Sequence, residues 1–255
     1  MINASTLSRP VVDIPLRGYP LADQESQKTS IRSLILFGSR ARGDHVANSD
    51  TDLLLITSES KPRHRTVHNI SLSLYPAVHL LDKARAGDLF VCHLVKEGKV
   101  LSDESSIFEN VCRSFRLRNS YMNEISSASE LGWFLVRHGR KFENAKIVNR
   151  RIAWCVRTTL IARSAEARQP VFSASALERF AGSPIVGRLI SQKNETTVDE
   201  TLNRDFETFL ITWGGGDISI EKTPGNYLDR FEQTSNVIAL QTFRHGWRTP
   251  KDTYI

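Results

Sequence analysis

Residues 37–44 read FGSRARGD, and residues 49–53 read SDTDL. The first segment continues a short apolar run, SLILF at residues 33–37, whose length and composition are typical of a buried strand. The second segment leads into another such run, DLLLIT at residues 52–57. Only one helical turn and a loop fit between the two predicted strands. The sequence therefore predicts a compact α/β unit built around this polar connection.

The start of the connection has the features of a phosphate-binding turn. Gly38 and Ser39 follow a predicted strand and are expected to open a helix, so backbone N–H groups and the Ser39 hydroxyl can hold phosphate oxygens. Arg40 and Arg42 add hydrogen-bond donors nearby. The sequence leaves two alternatives open for these arginines. One of them binds phosphate, or it forms an ion pair with Asp44 or contacts the edge of the sheet.

The end of the connection carries two acids. Asp50 and Asp52 are two residues apart at the start of the second strand, and such side chains point to the same face. Two adjacent carboxylates repel each other unless a cation lies between them, and Mg²⁺ with triphosphate oxygens fits that position. The pattern therefore predicts a metal-binding carboxylate pair opposite a phosphate-binding turn.

The pattern G-S-x-A-R-G followed by S-D-x-D-L is similar to the signature of the nucleotidyltransferase superfamily. This superfamily includes DNA polymerase β and the minimal and antibiotic-modifying nucleotidyltransferases. The resemblance covers residues 30–104. It implies a small mixed sheet with helices, Mg²⁺-dependent attack of a hydroxyl on the α-phosphorus of an NTP, and release of pyrophosphate.

The resemblance also assigns roles to individual residues of this chain. Asp50 and Asp52 would be the catalytic carboxylates that ligate Mg²⁺, with Mn²⁺ as an alternative. Gly38 and Ser39 would hold the triphosphate. The nucleotide-binding set that the motif implies is Gly38, Ser39, Arg40, Arg42 and Ser49.

One position departs from the family pattern. The family usually places a third carboxylate on the following strand, where it completes the metal site and helps to activate the attacking hydroxyl. Here that strand is NISLSLY at residues 69–75, in which Ser71 and Ser73 occupy the polar alternation. This leaves three alternatives. Asp82, Asp88 or another acid extends into the metal site, or the substrate supplies the missing metal ligand, or the activity is weakened or lost.

The positive charge is concentrated in the middle of the sequence. The 255 residues carry a formal charge of +6, but residues 113–188 alone carry +9 and the remainder carries −3. Lys146, Arg150 and Arg157 share one stripe of a predicted helix. This stripe either faces an anion, such as NTP phosphates or nucleic acid, or is a solvated surface.

The chain divides into three predicted parts, which together form an α+β fold. Residues 1–28 are an irregular arm, residues 29–104 a nucleotidyltransferase domain with a small mixed β-sheet, and residues 105–255 an α-helical domain. Helices are expected at residues 77–86 and 88–97, where Cys92 and His93 read as packing residues. Residues 100–101 are expected to return as a short edge strand.

Other segments carry weaker signals. Residues 61–68 (KPRHRTVH) are interpreted as an exposed basic connector, so their two histidines are not expected to bind metal. Residues 175–178 (SALE) have the form of a capping box that starts a helix. The glycines at residues 214–216 predict the end of a helix. The apolar residues between 227 and 240 predict one last helix.

The function that fits best is transfer of a nucleoside monophosphate to a hydroxyl acceptor, with an RNA or tRNA end or a protein favoured by the basic middle segment. A synthase of cyclic or linear oligonucleotides uses the same core and is one alternative. A catalytically degenerate nucleotide- or nucleic-acid-binding component of a toxin–antitoxin or defence system is another. No run approaches the ~18–20 apolar residues of a membrane span. With three widely spaced cysteines and no signal peptide, we expect a cytoplasmic protein without membrane partners.

Overall fold

The computed structural model describes residues 30–47, 49–217 and 223–246, so the predicted arm at residues 1–28 lies outside the described residues. The N-terminal part is built on a five-stranded mixed sheet with the strand order β3-β4-β2-β1-β5. Its strands are β1 (Ile31–Phe37), β2 (Thr51–Thr57), β3 (Arg63–Val67), β4 (Ile70–Pro76) and β5 (Lys99–Asp103). The β2–β4 pair is parallel, whereas the other pairs are antiparallel.

Alternation along the central strands decides which side chains enter the core. Ile35 of β1 lies opposite Leu54 of β2, and both are fully buried. Because side chains alternate with a period of two, the same face of β2 carries Ile56 further along and Asp52 at the strand's beginning. In the parallel β2–β4 ladder, Asp52 lies opposite Ser71. The sheet therefore places the predicted acid beside the polar side chains of β4.

Four helices accompany the sheet. They are α1 (Gly38–Arg42), α2 (Ala77–Arg85), α3 (Leu89–Glu97) and α4 (Ile107–Ser114). Residues of α2, α3 and α4 form a buried core with the inner face of β1 and β2. The return of residues 100–101 to the sheet is confirmed, since β5 pairs with β1 at the edge.

The interpretation of residues 61–68 as a connector is wrong. Residues 63–67 form the edge strand β3, which pairs with β4 in an antiparallel ladder. Every residue of β3 is exposed, so its sequence lacks the apolar alternation by which a half-buried strand is recognised. An edge strand needs only backbone hydrogen bonds, and charged side chains protect it from pairing with other chains.

The second part of the chain is helical. Its helices are α5 (Met122–His138), α6 (Ala145–Glu166), α7 (Ala174–Ala181), α8 (Pro184–Ser191), α9 (Glu200–Trp213), α10 (Pro224–Gln233) and α11 (Val237–Gly246). The predicted apolar stripe of α6 is confirmed, because Val148, Ile152, Val156 and Leu160 are all buried in the core of this region. The helix stop at residues 214–216 is also confirmed by the end of α9.

Two helix boundaries differ from the prediction. The cap of α7 is Ser173 rather than Ser175, and its hydroxyl accepts a hydrogen bond from the Ala176 N–H at 3.1 Å. Because the helix starts two residues earlier than predicted, Ala174 belongs to it and packs on the core. Ser175 therefore lies inside the helix. The predicted last helix is two helices, because the chain turns at Ser235 (φ 51°) and Asn236 caps α11. No glycine or proline marks this turn in the sequence.

The two parts share packing. Phe172, in the loop before α7, is 2% exposed and belongs to the core beneath the sheet. Ile161 of α6 packs against both cores. The α+β fold class is confirmed, whereas the boundary at residue 104 stays a prediction. Among the helices described, none combines the length and apolar character that crossing a membrane requires.

Candidate active site

The glycine that follows β1 lies against an acid of β2. Phe37 pairs in register with Asp52, so Gly38 begins α1 directly beside that carboxylate. Gly38 has a φ of +74°, and a β-carbon at this position would overlap the Asp52 Oδ2 atom. Glycine alone adopts this left-handed conformation without cost and leaves room for the carboxylate. The strand-to-helix turn and Asp52 therefore form one site.

Asp50 and Asp52 interact electrostatically at the beginning of β2. Asp50 is exposed just before the strand, and Asp52 is half-buried within it. Burial raises the pKa of the Asp52 carboxyl above its usual range, and repulsion from Asp50 raises it further. A divalent cation between the two carboxylates would relieve this repulsion through the hard oxygen ligands that Mg²⁺ prefers. The chemistry of both side chains suits such a cation.

On β4, where the resemblance implies a third carboxylate, the polar alternation carries the hydroxyls of Ser71 and Ser73. Ser71 lies opposite Asp52 in the β2–β4 ladder, and its hydroxyl partly offsets the raised pKa of that acid. Asp82 is paired with Arg85, and Asp88 caps α3 by accepting from the Phe90 N–H at 2.9 Å. Both carboxylates are thus held by other partners and do not complete the site at Asp50 and Asp52. Among the residues described, no third His, Cys, Asp or Glu side chain joins the pair in a cluster that could hold a metal ion.

The arginines of α1 have different surroundings. Arg42 contacts Asp44 at 3.1 Å and also forms an ion pair with Glu97 of α3. Arg40 donates from Nη2 to the Ser49 carbonyl oxygen at 2.9 Å. Arg42 thus joins α1 to α3, and Arg40 holds the loop that leads to the acids.

The serines flank the connection. Ser39 lies in the first turn of α1, and its hydroxyl has no hydrogen-bond partner among the residues that the structure describes. Ser49 is held in the loop, since its hydroxyl accepts from the Val46 N–H at 3.0 Å. The predicted nucleotide-binding residues therefore all lie on the connection between β1 and β2, where Arg40 contacts Ser49 and the Ser39 hydroxyl lacks a partner among the described residues.

The basic stripe of α6 is divided between two environments. Arg157 is largely buried where α6 meets the sheet-based part, and it donates to the Phe172 carbonyl oxygen at 3.0 Å. Burial lowers the pKa of Arg157, and it interacts electrostatically with Asp52 and Glu97. Lys146 and Arg150 are exposed, and neither side chain has a carboxylate partner in the described part of the chain. Of the three residues in the predicted stripe, the structure thus brings only Arg157 to the acids.

Sequence reasoning missed two groups near Asp52. His93 of α3 and Lys193 of the 3₁₀ turn at Gln192–Asn194 both interact electrostatically with that carboxylate. His93 was interpreted as packing, but its spacing of four residues from Glu97 places both side chains on one face of α3. That spacing could have signalled the pair. Nothing in the sequence around Lys193 links it to a site that lies more than a hundred residues earlier.

The comparisons with known proteins bear on the sheet-based part. Residues 21–107, about a third of the chain, match the family model described as polymerase beta, nucleotidyltransferase. No curated protein matches this chain. The chain is similar to a nucleotidyltransferase-like protein of known crystal structure from Exiguobacterium sibiricum 255-15, at 16% identity over 86% of this chain and 75% of that protein. The TM-score of that similarity is 0.30, so it adds no argument.

The matched residues include the whole sheet and both motif segments. They contain the turn at Gly38 and the acids Asp50 and Asp52, and the β1–β2 ladder brings the turn next to Asp52. The mixed sheet and the helices on it agree with the fold that the motif implies. Residues 21–107 of this chain therefore match the polymerase β nucleotidyltransferase family in sequence and carry the fold that its motif implies.

Proposed function

We propose that this chain is a Mg²⁺-dependent nucleotidyltransferase, which moves a nucleoside monophosphate from an NTP to a hydroxyl of an anionic acceptor and releases pyrophosphate. An RNA or tRNA end is favoured over a protein as the acceptor. The observation that carries the proposal is the position of Asp52, against the Gly38 turn on one side and beside the exposed Asp50 on the other. Two mutually repelling carboxylates beside a phosphate-binding turn favour a cation with a polyphosphate.

The donor side consists of residues from α1 and β2. Backbone N–H groups at Gly38 and Ser39 and the Ser39 hydroxyl would bind oxygens of the triphosphate. Asp50 and Asp52 would hold Mg²⁺, or Mn²⁺ in its place. When bound, the cation would neutralise charge on the triphosphate and orient the α-phosphorus for in-line attack. Arg40 keeps the Ser49 loop closed, so the two acids stay next to the turn.

The acceptor side would be formed by the helical region. Arg157 and Lys193 bring positive charge towards Asp52 from α6 and from the turn after α8. Arg150 and Lys146 continue the stripe on α6, and a helical rise of 1.5 Å per residue puts Lys146 about 16 Å from Arg157. Contacts of Lys and Arg with phosphates are independent of base sequence and depend on salt. This arrangement supports an extended anionic acceptor.

A second candidate function is nucleotide or nucleic-acid binding without catalysis. The observation in its favour is Ser71, which stands where the family places its third carboxylate. A serine hydroxyl does not accept a proton at neutral pH, so loss of this acid removes one route for activating the attacking hydroxyl. The donor and acceptor contacts described above would remain.

One experiment separates these functions. The protein is incubated with each NTP, labelled at the α-phosphate, and Mg²⁺, in parallel reactions without acceptor, with total tRNA and with cell extract, and the D50A/D52A variant serves as control. Label on RNA or on protein that needs both acids supports the transferase. A small labelled product formed without acceptor supports an oligonucleotide synthase. Binding of nucleotide or RNA without consumption of any NTP contradicts the proposal and supports the binding function.

A further inference from the structure

The imidazole of His93 is held by an acid on the same helix. His93 Nε2 lies 2.7 Å from Glu97 Oε2, and Glu97 also forms the ion pair with Arg42. An ionised carboxylate only accepts hydrogen bonds, so the network assigns the proton to Nε2 in the neutral ring. Nδ1 is then the nitrogen with a free electron pair. No residue in the described ranges forms a hydrogen bond with Nδ1.

Aromatic rings hold this imidazole in place. The Phe172 ring stacks on it with centroids 4.5 Å apart and an interplanar angle of 15°. Phe37, the last residue of β1, meets it edge-on at 5.5 Å. The ring is therefore packed between the sheet-based part and the loop of the helical part, against Phe37, which lies opposite Asp52 in the β1–β2 ladder.

The other candidates for a proton acceptor at this place are unsuitable. Ser71 is a hydroxyl, and Asp88 is bound to backbone N–H groups of α3 and to Lys83. Cys92 is fully buried, and burial raises the pKa of its thiol to about 11. Glu97 accepts from both Arg42 and His93. Among these groups, only His93 has a basic ring nitrogen, Nδ1, without a hydrogen-bond partner in the described residues.

We propose that His93 is the catalytic base of this site and that Glu97 is its positioning residue. The inference rests on the proposed function. The acceptor hydroxyl oxygen forms a bond to the α-phosphorus, and its proton moves to His93 Nδ1. The bond from the α-phosphorus to the oxygen of the β-phosphate breaks, and pyrophosphate leaves with the electron pair. Glu97 stabilises the imidazolium ion, as a carboxylate does for a histidine base. The histidine thus does the work of the carboxylate that Ser71 replaces.

The test compares single-turnover transfer at saturating NTP in the wild type, H93Q and the matched control H79Q. A glutamine can keep the hydrogen bond to Glu97 but cannot accept a proton, whereas His79 is an exposed histidine of α2 outside the site. We expect H93Q to lower the transfer rate about 100-fold or more, the usual contribution of a general base. Affinity for a non-hydrolysable NTP analogue and the melting temperature should not change. H79Q should match the wild type in all three measurements.

A second variant separates catalysis from packing. In H93A, imidazole added to the buffer should restore part of the transfer rate, because a free base can enter the space that the side chain leaves. An H93Q rate equal to the wild-type rate overturns the role of His93 and leaves the transferase function intact. A loss of rate that follows loss of NTP affinity, without rescue by imidazole, overturns it as well. Absence of transfer by the wild type contradicts the proposed function itself, and the role of His93 with it.

Discussion

Single residues determine the geometry of the donor site. Gly38 is needed twice, because its φ of +74° disfavours a side chain and because the Asp52 carboxylate fills the space that a β-carbon would take. Asp52 itself is held in an unfavourable environment, where burial and Asp50 raise its pKa. These features cost stability in the free protein, and binding of the proposed cation and polyphosphate would compensate that cost.

The substitution G38A should damage both folding and the site. A left-handed conformation with a β-carbon costs on the order of 1–3 kcal/mol, and Asp52 would have to move. We expect the free energy of unfolding to fall by about 2 kcal/mol and Mg²⁺–NTP binding to weaken. Urea denaturation and calorimetry measure the two effects. The control is G216A, at a glycine with open space around it. Equal stability of G38A and the wild type would contradict this account of the turn.

Asp103 predicts a pH effect on stability. Burial opposes ionisation of this carboxyl, but hydrogen bonds from the Phe108 N–H at 3.0 Å and from the Ser33 hydroxyl at 2.5 Å outweigh it and hold the pKa below its usual value. An acid with a depressed pKa in the folded state contributes stability above its unfolded pKa, near 3.9, and loses it as the pH falls through the folded pKa.

The substitution D103N should therefore lower the free energy of unfolding at pH 7 by about 1–2 kcal/mol, because hydrogen bonds to a charged group are lost. The difference from the wild type should shrink as the pH falls below about 4. Urea denaturation over a pH series measures it. D82N, at an exposed acid paired with Arg85, is the control and should change stability little. A difference that is independent of pH would argue against the assigned cap.

At the scale of elements, the site is assembled from strands β2 and β4 and from helices α1, α3 and α6. The parallel β2–β4 pairing sets Ser71 opposite Asp52, and the Arg42–Glu97 ion pair fixes α1 on α3. Helix α6 adds Arg157 at the site and carries Arg150 and Lys146 away from it. Each element contributes one or two functional groups, so loss of any one leaves an incomplete site.

The exposed part of the α6 stripe predicts a salt effect on RNA binding. Each phosphate contact to a single strand contributes about 0.7 to the slope of log affinity against log salt. K146A/R150A should therefore reduce that slope by about 1.4 for single-stranded RNA. The matched control is R179A/R204A, which removes two exposed arginines from α7 and α9. A slope that K146A/R150A leaves unchanged would mean that the stripe is a solvated surface.

Local patterns predicted the elements that are built on periodicity or on a motif. The alternation of β4, the apolar stripe of α6 and the GSRARG turn all follow from rules that act within a few residues. The edge strand β3 was missed because none of its side chains is buried, and the cap at Ser173 because a second serine lies two residues away. The spacing of His93 and Glu97 is a local signal that could have been used, whereas the stacking of Phe172 on His93 joins residues that are distant in the sequence.

At the scale of the whole molecule, the sheet-based part and the helical part share a core. Phe172 belongs to the core beneath the sheet although the chain reaches it only after α6, and its ring also covers His93. The carbonyl group of the same residue accepts from Arg157. Two cations of the helical region, Arg157 and Lys193, thus interact electrostatically with Asp52.

The substitution F172A tests this coupling. Removing a buried phenylalanine costs about 3–5 kcal/mol when the cavity does not close, so we expect a marked loss of stability in urea denaturation. F180A, at a partly buried phenylalanine of α7 in the helical core, is the control for loss of an aromatic ring. Transfer activity should fall more in F172A than in F180A when both are assayed well below their melting temperatures. Equal activity would mean that Phe172 serves packing alone.

The central claim is that Asp50 and Asp52 support transfer of the α-phosphoryl group with its nucleoside. It is tested most directly with two samples of the same NTP, one labelled at the α-phosphate and one at the γ-phosphate, incubated with acceptor RNA and Mg²⁺. The wild type should put the α-label on the acceptor and the γ-label into pyrophosphate. D50N and D52N should lower transfer more than about 100-fold, since even the residues that orient metal ligands contribute 10–100-fold. A γ-label on the acceptor, or α-label transfer that survives both substitutions, would contradict the account.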